Sequence, residues 1–103
     1  MVDKVRMSGP TLKLLKVFLE HPKEELSGAQ ISKITKIGSS TLYPLLQRLA
    51  VAGWIAGEWE KVDPSEVGRP KRHLYRLTRS GQAAALKELA QYQTSTAGQL
   101  AWT

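Results

Sequence analysis

Apolar residues recur along this chain at two different periods. Leu12, Leu15, Phe18 and Leu19 fall at helical spacing, with Leu14 and Val17 widening the stripe. Gly9-Pro10 opens this helix, since proline is tolerated in a first turn where its N–H has no partner to lose. Pro22 ends it near His21 by driving the preceding residue out of the α region. A second helix starts at Ser27. Ser27-x-x-Gln30 has the spacing of a capping box, and Leu26 and Ile31 are placed for a hydrophobic staple. Ile31, Ile34 and Ile37 continue its apolar face, and Gly38 is predicted to end it as a left-handed cap. The third helix follows at once, capped by Ser39 or Ser40. Leu42, Leu45, Leu46 and Leu49 give a core stripe at i, i+3, i+4 and i+7. Pro44 reads as lying near the end of the first turn, where its cost is reduced, and Gly53 closes the helix.

The period then changes to two. Trp54 to Val62 reads as a strand, residues 63–70 as a long turn, and Arg72 to Leu77 as the returning strand, with His73, Tyr75 and Leu77 on one face. Thr78 caps a last helix whose Ala83, Leu86, Ala90, Gln93, Ala97 and Leu100 form a weak coiled-coil-like stripe. Thr94, Ser95, Thr96 and Gly98 are poor helix formers, so fraying is expected after about Gln93. The order predicts a mainly α fold with a small β-hairpin: a winged helix-turn-helix plus a C-terminal dimerisation helix. The expected division is a loose N-terminal arm over 1–9, the winged unit over 10–78, and a dimerisation helix and tail over 79–103.

The 103 residues carry a net charge of +6 and suffice for one domain with one core. There is no cysteine, hence no disulfide and no thiolate metal site. No apolar run approaches the ~20 residues of a membrane span, and residues 1–10 lack the apolar core of a signal peptide. A cytoplasmic protein is expected. The basic excess is concentrated: Arg69, Lys71, Arg72, Arg76 and Arg79 follow one another with no acid between them, while Glu58, Glu60, Asp63 and Glu66 precede them. Such a segment suits an anionic partner, or a solvated loop. Catalysis is not indicated. His21 and His73 are far apart, no glycine-rich phosphate loop or nucleophile elbow is present, and no metal-ligand spacing occurs. Neither an enzyme nor a cofactor is expected.

The third helix, about residues 39–52, combines a buried stripe with a polar start. Ser39, Ser40 and Thr41 sit where helix amides and dipole favour a phosphate. Tyr43 suits a phosphate or a thymine methyl, Gln47 suits adenine, and Pro44 stiffens the backbone beside a groove. Ser39 also reads as a simple cap, and Tyr43 as a packing residue. In the wing, about residues 63–72, Arg69 beside Pro70 suits a narrow minor groove, and Lys71 and Arg72 suit phosphates. Trp54 is expected under the hairpin, and Trp59 either in the core or at the surface.

These stretches resemble the PadR-like transcriptional regulators. The resemblance rests on Thr41 to Leu46, on Gly68 to Pro70, and on Tyr75 to Thr78 with Gly81. Ala29 and Leu74 depart from the usual pattern. The resemblance implies a dimeric winged helix-turn-helix repressor on a pseudo-palindromic operator in double-stranded DNA. It also implies that Thr41, Tyr43 and Pro44 belong to the recognition helix, and Arg69 and Lys71 to the wing. Leu86, Ala90, Tyr92, Gln93 and Trp102 are the candidates for a dimer contact or for a small aromatic effector. The alternatives are a winged-helix protein-interaction module that does not bind DNA, and a sensor of small aromatic ligands.

Overall fold

A computed structural model describes the backbone of residues 2–100 and the side chains of residues 2–91. Helix α1 (Gly9–Glu20) starts under Ser8, whose hydroxyl accepts from the Thr11 amide at 3.3 Å, and it ends at His21 before Pro22. Both halves of the capping box form at α2 (Gly28–Thr35). The Gln30 amide donates to the Ser27 hydroxyl at 3.2 Å, and the Ser27 amide donates to Gln30 Oε1 at 2.9 Å. Gly38 does not cap this helix. Lys36 takes the left-handed conformation (φ 64°) and donates its amide to the Ser32 carbonyl. Side chains brace the turn: the Thr35 hydroxyl donates to the Ile31 carbonyl and accepts from the Ile37 amide, and the Ser32 hydroxyl donates to the Ile37 carbonyl. With those bonds in place a non-glycine residue holds a conformation that ordinarily favours glycine.

Gly38 is instead the extended N-cap of α3 (Ser39–Val51), and no side chain caps that end. Ser39 and Ser40 lie inside the first turn with exposed hydroxyls. Pro44 is therefore deeper than the sequence suggested. It is the sixth helical residue, past the first turn, and it deprives the exposed Ser40 carbonyl of its intrahelical donor. The leucine stripe holds: Leu42, Leu45, Leu46 and Leu49 are buried with Leu14, Leu15 and Phe18 of α1 and Ile31 of α2. Each such side chain contributes about 1.5–3 kcal/mol by leaving water. Ile34 stays 49% exposed, outside the core.

Three strands form an antiparallel sheet in the order β1-β3-β2, where β1 is Leu26–Ser27, β2 is Ile55–Trp59 and β3 is His73–Leu77. A two-residue strand carries no period, so β1 was not visible in the sequence. The long turn contains a short helix, α4 (Pro64–Val67), between an Asp63 cap and a left-handed Gly68. Helix α5 (Arg79–Leu100) packs on α1 and continues past Gln93. Thr78 Oγ1 accepts the Gly81 amide at 2.8 Å and donates to the Gly53 carbonyl at 2.7 Å, tying the start of α5 to the end of α3. Gly81 and Ala85 are buried, whereas Ala83, Leu86 and Ala90 face outward. The N-terminal arm is not loose. The Asp3 amide donates to the Ala52 carbonyl at 2.8 Å, Trp54 Nε1 donates to the Asp3 carbonyl at 2.6 Å, and Val2, Val5 and Met7 pack on the core.

The approach of α5 to β2 depends on Gly81. A Cβ there would collide with the backbone carbonyl of Trp54. Gly81→Ala is expected to destabilise the fold by about 1–3 kcal/mol, read as a lower urea midpoint. Gly9→Ala, with open space around it, is expected to leave that midpoint unchanged or slightly raised.

Candidate nucleic-acid interface

Burying one face of α3 decides what the other face offers. Ser39, Ser40, Thr41, Tyr43, Pro44 and Gln47 are all exposed, together with Arg48. Tyr43 has a second contact. Its ring lies over Gly28 at the start of α2, so close that a Cβ on Gly28 would fall 2.7 Å from the ring and from the hydroxyl. Tyr43 is thus half packing residue and half surface residue, 48% exposed. The absence of a side-chain cap leaves the first amides of α3 open to an outside acceptor.

The wing is braced from within. Arg69 donates to both carboxylate oxygens of Glu60, at 2.6 and 3.2 Å, and the Arg72 amide donates to Glu60 Oε1 at 2.8 Å. The Glu60 amide reciprocates to the Arg72 carbonyl, which extends the β2–β3 ladder one step beyond Trp59 and His73. The Arg69 guanidinium and the Arg72 amide hold the Glu60 carboxyl at about 2, well below its ordinary value. Arg69 is correspondingly shifted upward by Glu60. Of the acids near the wing, Glu60 is thus satisfied inside the hairpin. Asp63 is held low by the Ser65 hydroxyl and amide. Lys71 and Arg72 keep exposed side chains.

Sequence reading did not find the third component. Trp59 and His73 are cross-strand partners whose rings stack at 4.8 Å, and His73 Nδ1 hydrogen-bonds the Tyr75 hydroxyl at 2.9 Å. Gly57 makes room for the imidazole, because a Cβ there would fall 2.6 Å from His73 Nε2. Burial, reinforced by Tyr43, pushes the Tyr75 phenol upward. Trp54, by contrast, is in the core. Tyr43, Trp59, Lys71, Arg72, His73 and Tyr75 line a cleft of about 460 Å³ between α3, the start of α2 and the wing. The signal was available in hindsight: once the hairpin register is fixed, residues 57, 59, 73 and 75 share one face.

His21 sits 3.1 Å from Glu24 in the loop after α1, remote from His73 in sequence. Among the described residues no group of acids and histidines is arranged to hold a metal ion, and no helix is long and apolar enough to cross a membrane. Leu86 and Ala90 line a groove of about 370 Å³ with Lys16, Leu19, Glu20 and Leu89, between α1 and α5. Tyr92, Gln93 and Trp102 lie outside the described side chains.

The Glu60 brace predicts an acid-linked change confined to the wing. A carboxylate with a depressed pKa stabilises the native hairpin above its unfolded value of about 4.5, and that contribution is lost as pH falls toward about 2. The Arg72 amide resonance is expected to titrate with a midpoint of about 2, and Glu60→Gln to abolish that titration. A midpoint near 4.5 would show that the brace does not form in solution.

Comparison with known proteins places this geometry. The family model "Transcriptional regulator PadR-like family" matches residues 23–88. A comparison with curated proteins returns no match. Among solved structures, a PadR family transcriptional regulator from Eggerthella lenta is 29% identical with a TM-score of 0.67, covering 86% of this chain and 78% of that one. A Streptococcus mutans protein, smu.1704, is 28% identical with a TM-score of 0.68 and 93% of each chain covered. Bacillus subtilis PadR, solved in complex with operator DNA, shares the fold at 23% identity and a TM-score of 0.65; the match covers 80% of this chain and 48% of that one. With its three-stranded sheet, its helix-turn-helix and a family match over most of both, the chain belongs to the PadR-like family of transcriptional regulators, which are not enzymes.

Proposed function

We propose that this chain binds double-stranded DNA sequence-specifically as a homodimer and acts as a cytoplasmic repressor at a pseudo-palindromic operator. The observation that carries the reading is that Tyr43 of α3 and Lys71 and Arg72 of the wing line one cleft, while the polar start of α3 is exposed. In this reading α3 enters the major groove. Ser39, Ser40 and Thr41 meet a phosphate at the uncapped helix start. Gln47 reads a base edge, with adenine as its natural partner. Pro44 stiffens the approach, and Tyr43 holds α3 against α2 while the exposed part of its ring faces the DNA. Lys71 and Arg72 contact the backbone beside the groove, which positions the protein without reading sequence. Arg69 acts by bracing the wing through Glu60.

The structure of operator-bound Bacillus subtilis PadR supports the general docking, since the two proteins share the fold. The dimer is proposed to form through α1 and α5, where Leu86 and Ala90 line an outward groove. Tyr92, Gln93 and Trp102 would extend that contact. Two-fold symmetry then sets half-sites one or two helical turns apart.

Selection from a random duplex library at two salt concentrations tests the reading. An inverted repeat that survives the higher salt is expected; binding that enriches nothing would overturn sequence specificity. On the selected duplex, Lys71→Ala is expected to weaken binding to every sequence and to reduce the salt slope by about 1. Gln47→Ala is expected to cost about 1–3 kcal/mol and to relax preference at one base pair of each half-site.

A further inference from the structure

The Trp59–His73–Tyr75 stack lies in the middle of the proposed interface, yet nothing in the DNA-binding reading uses it. We propose that the cleft it lines is a subsite for a phosphodiester of the duplex backbone, and that His73 takes up a proton when the phosphate enters. This rests on the DNA-binding reading and adds to it a ligand group and a linked proton.

The geometry supplies the argument. The face of β2 and β3 that is core at Ile55, Tyr75 and Leu77 runs out of the core toward Trp59, which is 63% exposed. An apolar face that ends in an exposed indole stacked on an imidazole is a wall presented outward. Lys71 and Arg72 stand at its rim and Tyr43 faces it from α3. The remaining charges are accounted for. Glu58 and Arg76 alternate with Trp59 and Tyr75 along their strands and so belong to the opposite face. Glu60 is held by Arg69 and the Arg72 amide. From β1 and the start of α2, the cleft is lined by Ser27, Gly28 and Ala29, none of which titrates. His73 therefore faces two cations, two phenols and no free carboxylate. That is a site short of negative charge.

The hydrogen bond between His73 and Tyr75 is what makes the proton matter. When His73 is neutral at Nδ1, the ring accepts the Tyr75 O–H, and that donor is engaged. When Nδ1 carries a proton, it donates to the Tyr75 oxygen, and the phenolic O–H turns to another acceptor. Protonation thus adds a positive charge and releases a donor in the same cleft. A phosphate favours both changes, because it supplies the negative charge that the cleft lacks. Imidazole as a class makes this change near neutral pH.

By linkage, affinity for DNA must then rise as pH falls. Wild-type protein binding a mixed-sequence duplex is expected to gain about tenfold in affinity between about pH 8 and about pH 6. His73→Gln is expected to abolish that gain, with an unchanged circular dichroism spectrum. His21→Gln, at the loop after α1, is expected to keep the gain. A wild-type affinity that does not vary with pH, or a gain that survives in His73→Gln, would overturn the proposal. Should the duplex fail to bind at any pH, the DNA-binding reading itself fails. The subsite is then decided by following the His73 ring resonances against pH with and without inorganic phosphate. An upward displacement of their midpoint upholds the phosphate site, and an unmoved midpoint overturns it.

Discussion

Burial of four leucines on α3 is the constraint from which the rest follows. Leu42, Leu45, Leu46 and Leu49 fix the rotation of the helix about its own axis against α1 and α2. Once that rotation is set, residues 40, 43, 44 and 47 have only the outside to occupy. The face presented to a partner is thus specified by the core and not by the partner-facing residues themselves. Those positions are free to vary in chemistry without altering the fold, provided the stripe beneath them is kept. Tyr43, which packs on Gly28, is one exception, and Pro44 is another. At the sixth position it removes one i→i−4 donor, on the exposed side of the helix.

The wing obeys a different logic. A hairpin tip has little apolar surface to bury, so it is ordered by polar contacts. Glu60 serves as the hub of these, joining a guanidinium from one side and a backbone amide from the other. Exposed ion pairs generally contribute little to global stability. Here the effect is local: one carboxylate sets the path of residues 69–72, and hence where Lys71 and Arg72 project. Order in the wing is in this sense electrostatic, while order in the helical unit is hydrophobic, and the two respond to different perturbations.

Much of the fold was legible because its elements are periodic or bear local signatures. The leucine stripe of α3, the Ser27–Gln30 box, the Pro22 stop and the Thr78 cap are all short-range patterns. What escaped depends on contacts between distant residues or on competing local bonds. Lys36 replaces Gly38 as the left-handed cap because Ser32 and Thr35 hold the turn with their side chains. The arm is fixed by Trp54 reaching across 51 positions to the Asp3 carbonyl, and no window of sequence contains that pair. Strand β1 exists only as an edge on β3. In the candidate site, the exposed residues of α3 were accessible from the stripe by subtraction. The inward pairing of Arg69 was not, because a cluster of basic residues says nothing about which member an acid has captured. The aromatic wall needed the hairpin register, and that was fixed only once both strand ends were known.

Gly28 and Tyr43 make the two helices of the motif unequal partners. The phenol ring occupies the volume where any other residue at position 28 would place its Cβ. A side chain at position 28 would oblige the Tyr43 ring to swing aside, which alters the surface shown beside α3. The two positions are therefore expected to be inherited as a unit. A helix exchanged into this position without the Tyr43 ring would leave the space over Gly28 unfilled. The exposed face of α3 is thus shaped in part by a residue with no side chain, one helix away.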